Sequence, residues 1–179
     1  MSNCIWTGNF ACVAVIENTF IPNVYTVNVS METYDKKRNI SLGYQKLKYF
    51  VENSLHNSMF ISKGNAYLEY INQSDNNIVL FPEAPWDYLV GIVLYNKIEV
   101  ITEKYFQINY MTIDSAMGDH VKYTIHEELD SGFDLKGDEW WNIDTPTANL
   151  TKNLSWEKLN LKDSPGFSPK IIQGGLYNQ

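Results

Sequence analysis

The sequence predicts an α+β fold, a two-layer ββααββ sandwich in which two helices cover one face of an antiparallel sheet. Strand signals occur over 5–17 and 24–34, and apolar and polar residues alternate over 24–34 and again over 105–113, a period of two that is typical of half-buried strands. Between these regions, apolar residues recur at helical spacing in two stretches. The 179 residues, 44% of them hydrophobic, suffice for one core domain over 1–128, followed by an irregular C-terminal extension over 129–179.

The first predicted hairpin joins a strand over 5–17 to a strand over 24–34. The second strand alternates polar residues with an apolar set made of Tyr25, Val27, Val29 and Met31. Pro22 and the asparagines around it are typical of a turn, so the two strands should pair antiparallel.

One long helix is predicted over 41–61, because its apolar residues share a single stripe. Asn39 or Ser41 can cap its start by accepting a hydrogen bond from an otherwise unpaired backbone N–H. The segment that follows is ambiguous. Residues 65–71 fit either a short strand or a helical turn, and 78–81 form a short apolar run.

A second helix is predicted to begin at Pro85, since proline at the first helical position loses no hydrogen bond. Gly91 lies inside it and permits close approach of a neighbouring element. A second hairpin follows, with strands over 105–113 and 121–128 and a Met-Gly-Asp tip at 117–119.

The C-terminal extension is acidic and contains tryptophan. From Glu127 to Asp144, seven acidic residues accompany one lysine, and this stretch holds the adjacent pair Trp140 and Trp141. Aromatic residues in a segment that cannot build its own core suggest that it docks on something. Two alternatives stay open: the extension wraps its own domain, or it anchors a partner through Trp140, Trp141 and Trp156.

Charge and composition exclude several classes of protein. The formal net charge is −7 and the chain has one arginine, so it lacks the basic face of a nucleic-acid binder. No apolar run is long enough for a membrane span, and the N-terminus lacks the pattern of an export signal, which favours a cytoplasmic location. Cys4 and Cys12 lie too far apart on one strand to bridge, so both are expected to be reduced thiols.

Four strings in order resemble one known family. They are NVYTVNVSM at 23–31, SLHNSMF at 54–60, PEAPWDYLVGIV at 82–93 and YFQINYMTID at 105–114. Together they resemble the tunnelling fold of the 6-pyruvoyl- and 6-carboxytetrahydropterin synthases, in which two hairpins are separated by a pair of helices. The resemblance implies a homo-oligomer whose subunits join their sheets into a barrel, and a site for a pterin-like ring.

The chain departs from that family at its metal site. The family holds zinc with three histidines, whereas the matching segment at 21–23 reads Ile-Pro-Asn, and Cys12 lies too far upstream to match the catalytic cysteine. No metal and no cofactor are therefore expected. The resemblance leaves His56 and Asp114 as candidate catalytic residues, and Asp114, Asp87 and His56 as candidate ligand-binding residues.

Other chemistry has weaker support. His120 and His126 lie at the second hairpin and fit either a weak metal site with neighbouring acids or, more simply, a solvated hairpin end. Glu127 and Glu128 are adjacent, so on a strand they point to opposite faces and cannot form a catalytic carboxylate pair. No phosphate-binding glycine motif and no nucleophile elbow is present.

These observations favour a non-catalytic, oligomeric or partner-binding accessory protein. The asparagine-, isoleucine-, lysine- and tyrosine-rich composition and the tryptophan pair also resemble proteins of tailed phages of marine bacteria. That resemblance implies a host-takeover or structural factor in the host cytoplasm, with a host or phage protein as partner. The alternatives are an enzyme or binder acting on a pterin-like or 7-deazaguanine-like molecule, and a component of a virion.

Overall fold

A computed structural model describes residues 3–33, 40–73, 77–118, 121–126 and 132–148. Within these ranges, six strands form one sheet: β1 (Asn3–Ile16), β2 (Thr19–Thr33), β3 (Ser58–Ser62), β4 (Asn77–Phe81), β5 (Phe106–Ser115) and β6 (Lys122–Ile125). The same ranges contain three α-helices: α1 (Ile40–Tyr49), α2 (Leu68–Asn72) and α3 (Asp87–Thr102). None of the helices in the described ranges is long and apolar enough to cross a membrane.

The α+β class is confirmed, but the sheet is mixed, so the prediction of an antiparallel sheet is wrong. The strand order is β4-β3-β1-β2-β5-β6. The pairs β1–β2, β2–β5 and β5–β6 are antiparallel, whereas β1–β3 and β3–β4 are parallel. The parallel pairs arise because the chain crosses over through α1 and α2 before each of the two short strands, as parallel neighbours require.

The long helix predicted over 41–61 is correct only in its first half. Helix α1 ends at Tyr49 and continues as a π-helical turn, Phe50–Ser54. Asn57 then adopts a left-handed conformation with φ 57°, and its N–H donates to the carbonyl oxygen of Ala11 at 2.8 Å. The chain leaves this point as β3. The apolar run at 59–61 fitted the helical stripe, but in the fold it lies between β1 and β4.

Two apolar clusters lie on opposite faces of the sheet. The main core, between the sheet and helices α1 and α3, includes Tyr25, Phe50 and Val93. A smaller cluster lies on the other face, where Ile71 of α2 packs with Val15, Ile61 and Ile78. The prediction of two helices on one face is therefore right for α1 and α3, and α2 partly covers the other face.

The described part of the C-terminal extension packs on its own domain. Trp140 and Trp141 lie in a 3-10 turn and are only 6% and 2% exposed. The Nε1 atom of Trp140 donates to the carbonyl oxygen of Leu80 at 2.7 Å, and that of Trp141 donates to Leu135 at 2.9 Å. Of the two alternatives for the extension, the burial of this pair supports packing on its own domain. Trp156 lies outside the described residues.

Candidate ligand-binding site

A cavity of about 300 Å³ lies between one end of the sheet and the start of α3. We call it the α3 cavity. It is lined by the paired ends of β1 and β2, the residues that lead into α3, the loop after β5, and β6. The lining residues are Ala14, Ile16, Ile21, Asn23, Tyr25, Pro85, Trp86, Asp87, Tyr88, Met117 and Tyr123.

Strand alternation and the start of α3 explain this arrangement. Residues of β1 and β2 separated by two point to the same face of the sheet, so Ala14, Asn23 and Tyr25 all face the helices. Trp86 is extended, with φ −64° and ψ 149°, and it precedes the first helical residue. Asp87 thereby comes to lie at the helix N-terminus, where a negative charge is favourable.

The central contact of the cavity joins Tyr25 to Asp87. The Tyr25 hydroxyl donates to Oδ1 of Asp87 at 2.6 Å. Tyr25 is fully buried, and burial raises its pKa, with the hydrogen bond to Asp87 and the charge of Asp87 adding to the rise. The phenol therefore stays protonated and acts as a fixed hydrogen-bond donor to the carboxylate.

Cys12 lies on the helix-covered face of β1 and is not an activated nucleophile. Burial, and secondarily the negative charge of Asp87, raise the pKa of its thiol to about 12. A thiol needs a lowered pKa to supply thiolate at neutral pH. Cys4 and Cys12 are both free, which agrees with the expectation of two reduced thiols.

Hydrogen bonds with Asn23 hold residues 115–117, at the end of β5, beside the cavity. The buried Asn23 side chain donates to Oγ of Ser115 at 2.7 Å, and its Oδ1 accepts from the N–H of Met117 at 3.3 Å. Gly118 follows. A Cβ atom at this glycine would lie 2.8 Å from Oδ2 of Asp87, so a larger residue here would require the carboxylate to shift.

The walls of the cavity are largely aromatic. The ring centroids of Tyr88 and Tyr123 are 5.6 Å apart. Trp86 is 58% exposed and also lines the cavity. The site thus combines one carboxylate, one amide and several aromatic side chains, the composition of a small-molecule pocket.

The structure separates the three predicted ligand-binding residues, because only Asp87 lines the cavity. Asp114 lies between the buried residues Ile113 and Ser115, so alternation turns it to the opposite face of the sheet, beside Lys122. The expected pairing of His56 with Asp114 in one pocket is not found.

His56 is exposed on the turn before β3. Its Nδ1 atom accepts from the N–H of Ala11 at 3.2 Å, so it is tied to the first strand and serves a local hydrogen bond. Asp114 is on β5, two strands away from β1 in the sheet.

Sequence reasoning missed most of the site. Tyr25 was recognised only as a strand residue, although its hydroxyl group, on a face that is otherwise apolar, signals a need for a polar partner. Ile21 and Asn23 also line the cavity. No feature of the sequence marked Tyr88, Met117 or Tyr123 as residues of a binding site.

In the described ranges, no group of three or more histidine, cysteine, aspartate or glutamate side chains is placed to hold a metal ion. His126 is exposed beyond the end of β6. His120, Glu127 and Glu128, which completed the weak metal site considered above, lie outside the described residues.

A second group of ionisable side chains lies at the other end of α3, around Asp144. Lys46 bonds Oδ1 of Asp144 at 2.5 Å, and Lys104 bonds Oδ2 at 2.6 Å. Lys97 is fully buried, and this burial lowers its pKa to about 7, with Asp144 opposing the shift and Lys46 reinforcing it. This group fastens the C-terminal extension to the domain and does not line the α3 cavity.

No protein-family model matches the chain, and no curated protein sequence matches it.

Proposed function

We propose that this protein binds a small ring-shaped molecule in the α3 cavity and does not transform it. The observation that carries the proposal is the partly buried hydrogen bond from Tyr25 to Asp87 within an aromatic lining. A cavity of about 300 Å³ is at the lower end of the volumes that hold small ligands. The carboxylate can accept from two neighbouring N–H groups, which pterin-like and 7-deazaguanine-like rings present on one edge.

The lining favours binding over catalysis. Its described residues include one carboxylate but neither histidine, cysteine nor lysine, the side chains that most often serve as base or nucleophile. The Tyr25 hydroxyl is already engaged with Asp87 and holds its proton firmly. The candidate catalytic residues His56 and Asp114 do not line the cavity, so they lend no support to the enzyme alternative.

Calorimetric titration with a pterin and with 7-deazaguanine tests the proposal. We expect measurable binding, weakened about tenfold or more in Asp87→Asn, because a hydrogen bond to a charged group is worth about 1.5–3 kcal/mol. Asp114→Asn is the matched control, since it makes the same change on the opposite face of the sheet and should leave affinity intact. Equal affinity in both variants would show that the ligand binds elsewhere.

A second candidate function is assembly or partner binding through the face of the sheet opposite α1 and α3. Near the β1–β2 turn this face carries partly exposed large apolar side chains, namely Val24 (47%), Phe20 (45%) and Tyr67 (37%), and the ring centroids of Phe20 and Tyr67 are 5.8 Å apart. Exposed apolar patches mark interaction sites. A homo-oligomer, or a phage factor that binds a host protein or belongs to a virion, would use such a face.

Native mass spectrometry tests this second candidate, because it reports subunit number and retained ligand together. Assembly through this face predicts an oligomer that Val24→Glu dissociates, since the substitution places a charge in the patch. A monomer at micromolar concentration would argue against self-assembly, and absence from purified particles would argue against a virion role.

A further inference from the structure

We propose that the ligand of the α3 cavity is an organic cation, a ring compound that carries a protonated amine or amidine group. This inference rests on the proposed function and specifies the chemical class of the ligand. It follows from the charge of the described lining residues, from the lack of an ion-pair partner for Asp87 among the described residues and from the aromatic side chains around it.

The described residues that line the cavity carry negative charge only. Asp87 is the single carboxylate among them, and none of them is a lysine, arginine or histidine. An anionic ligand such as a phosphate or carboxylate would meet a like charge with no cation to offset it. A cationic ligand would meet an opposite charge in surroundings of low polarity, where that attraction is strongest.

Among the residues that the structure describes, none is a cationic partner of Asp87. The ion pairs between described residues join lysines to Asp144, Glu52 and Glu139, and none involves Asp87. Its one hydrogen bond in the described ranges comes from the neutral phenol of Tyr25. The negative charge of Asp87 acts on neighbouring groups, since it helps to raise the pKa of both Tyr25 and Cys12. A bound cation would compensate this charge.

The aromatic side chains supply the second attraction. The faces of tyrosine and tryptophan rings carry partial negative charge and attract ammonium groups within about 6 Å. Trp86, Tyr88 and Tyr123 lie in the lining with Asp87, and the exposed part of Trp86 is accessible to a ligand. A carboxylate flanked by several rings is the arrangement that recognises ammonium ligands.

A matched series of probes with one ring and three charges tests the inference. Benzylammonium, benzyl alcohol and benzoate differ mainly in charge, and their binding can be followed by chemical-shift titration of the amides of the α3 cavity. We expect benzylammonium to bind about tenfold or more tightly than benzyl alcohol, and benzoate not to bind. Asp87→Asn should remove the preference for benzylammonium.

Two further variants separate loss of charge from loss of structure. Asp87→Glu keeps the charge and should keep a preference for the cation, whereas Asp114→Asn should behave as the wild type. Equal affinity of all three probes for the wild-type cavity would overturn the charge inference and leave the proposed function standing. Absence of cavity shifts with all three probes, with a pterin and with 7-deazaguanine would overturn both.

Discussion

The Nζ atom of Lys97 donates a hydrogen bond to the carbonyl oxygen of Trp140 at 2.5 Å and lies 5.9 Å from the centroid of the Trp140 ring. The same atom donates to the carbonyl oxygen of Ile143 at 2.6 Å. A residue in the middle of α3 thus binds the backbone of the C-terminal extension at two points. This explains how an irregular, acidic segment becomes part of the domain.

The first prediction concerns pH. Burial lowers the pKa of Lys97 to about 7 from 10.5, so above pH 7 the unfolded chain binds more protons than the folded one. The free energy of unfolding should therefore rise from pH 7 towards pH 9, by up to about 1.4 kcal/mol per pH unit. Above pH 9 the raised pKa of Cys12 lowers the free energy of unfolding as the pH rises, because the unfolded thiol loses its proton before the folded one does. The predicted increase is therefore limited to the range from pH 7 to pH 9.

Denaturant unfolding at pH 7 and at pH 9 measures this slope. The upper value is pH 9 because this is the ordinary pKa of a cysteine thiol, above which Cys12 also contributes. Lys97→Met should flatten the slope, because it removes the group whose protonation changes. Lys104→Met is the control, since Lys104 also contacts Asp144 but is exposed and has a raised pKa. A slope that persists in Lys97→Met would assign the pH dependence to another group.

The second prediction concerns Trp140. Its buried ring packs near Phe50 and Phe81, with centroids 6.2 and 6.1 Å away. Trp140→Ala should lower the free energy of unfolding by about 3–5 kcal/mol, the usual cost of removing a large buried ring. Trp86→Ala removes the same side chain from an exposed position and should cost far less. Similar losses in the two variants would contradict the integration of Trp140 into the core.

The third prediction concerns the close approach of α3 to the sheet at Gly91. A Cβ atom there would lie 2.4 Å from Cδ1 of Ile125 and 2.9 Å from Cγ2 of Ile113. Gly91→Ala should therefore destabilise the fold by about 1–2 kcal/mol, because overpacking outweighs the helix propensity that alanine adds.

Thermal unfolding of two further variants checks the cause of that loss. Gly64→Ala is the matched control, since a Cβ atom at Gly64 meets no atom within 4 Å. Adding Ile125→Val to Gly91→Ala removes the closest methyl group and should recover part of the stability. A stabilising effect of Gly91→Ala alone would show that the helix does not pack this closely.

The fourth prediction concerns Tyr25. Tyr25→Phe keeps the buried ring but removes the donor to Asp87, so the free energy of unfolding should fall by about 1–2 kcal/mol. Affinity for the cavity probes should fall as well, because the carboxylate is no longer held in place. Tyr110→Phe makes the same change at a more exposed tyrosine and serves as the control. An unchanged affinity in Tyr25→Phe would show that Asp87 is positioned without it.

Sequence periodicity was sufficient for the longest elements. The alternation around Tyr25 correctly predicted β2, and the segment after Pro85 correctly predicted a helix, because each pattern extends over many residues. It failed at 58–61, where a short apolar run fits either period and the outcome depends on strands that are distant in the sequence. For the same reason, the sequence pattern did not predict that β3 and β4 pair in parallel.

The sequence by itself determined the α+β class, the antiparallel pairing of the first two strands and the presence of a helix after Pro85, although that helix begins at Asp87 and the turn between the strands is shorter than predicted. The tertiary structure alone decided which residues surround Asp87, because Tyr25, Met117 and Tyr123 come from separate segments that only the sheet brings together. It also decided that Asp114 faces away from the cavity and that Trp140 is buried. The physical reason is that local patterns specify which face a residue prefers, whereas its neighbours depend on strand order and crossover, which arise from packing across the whole chain.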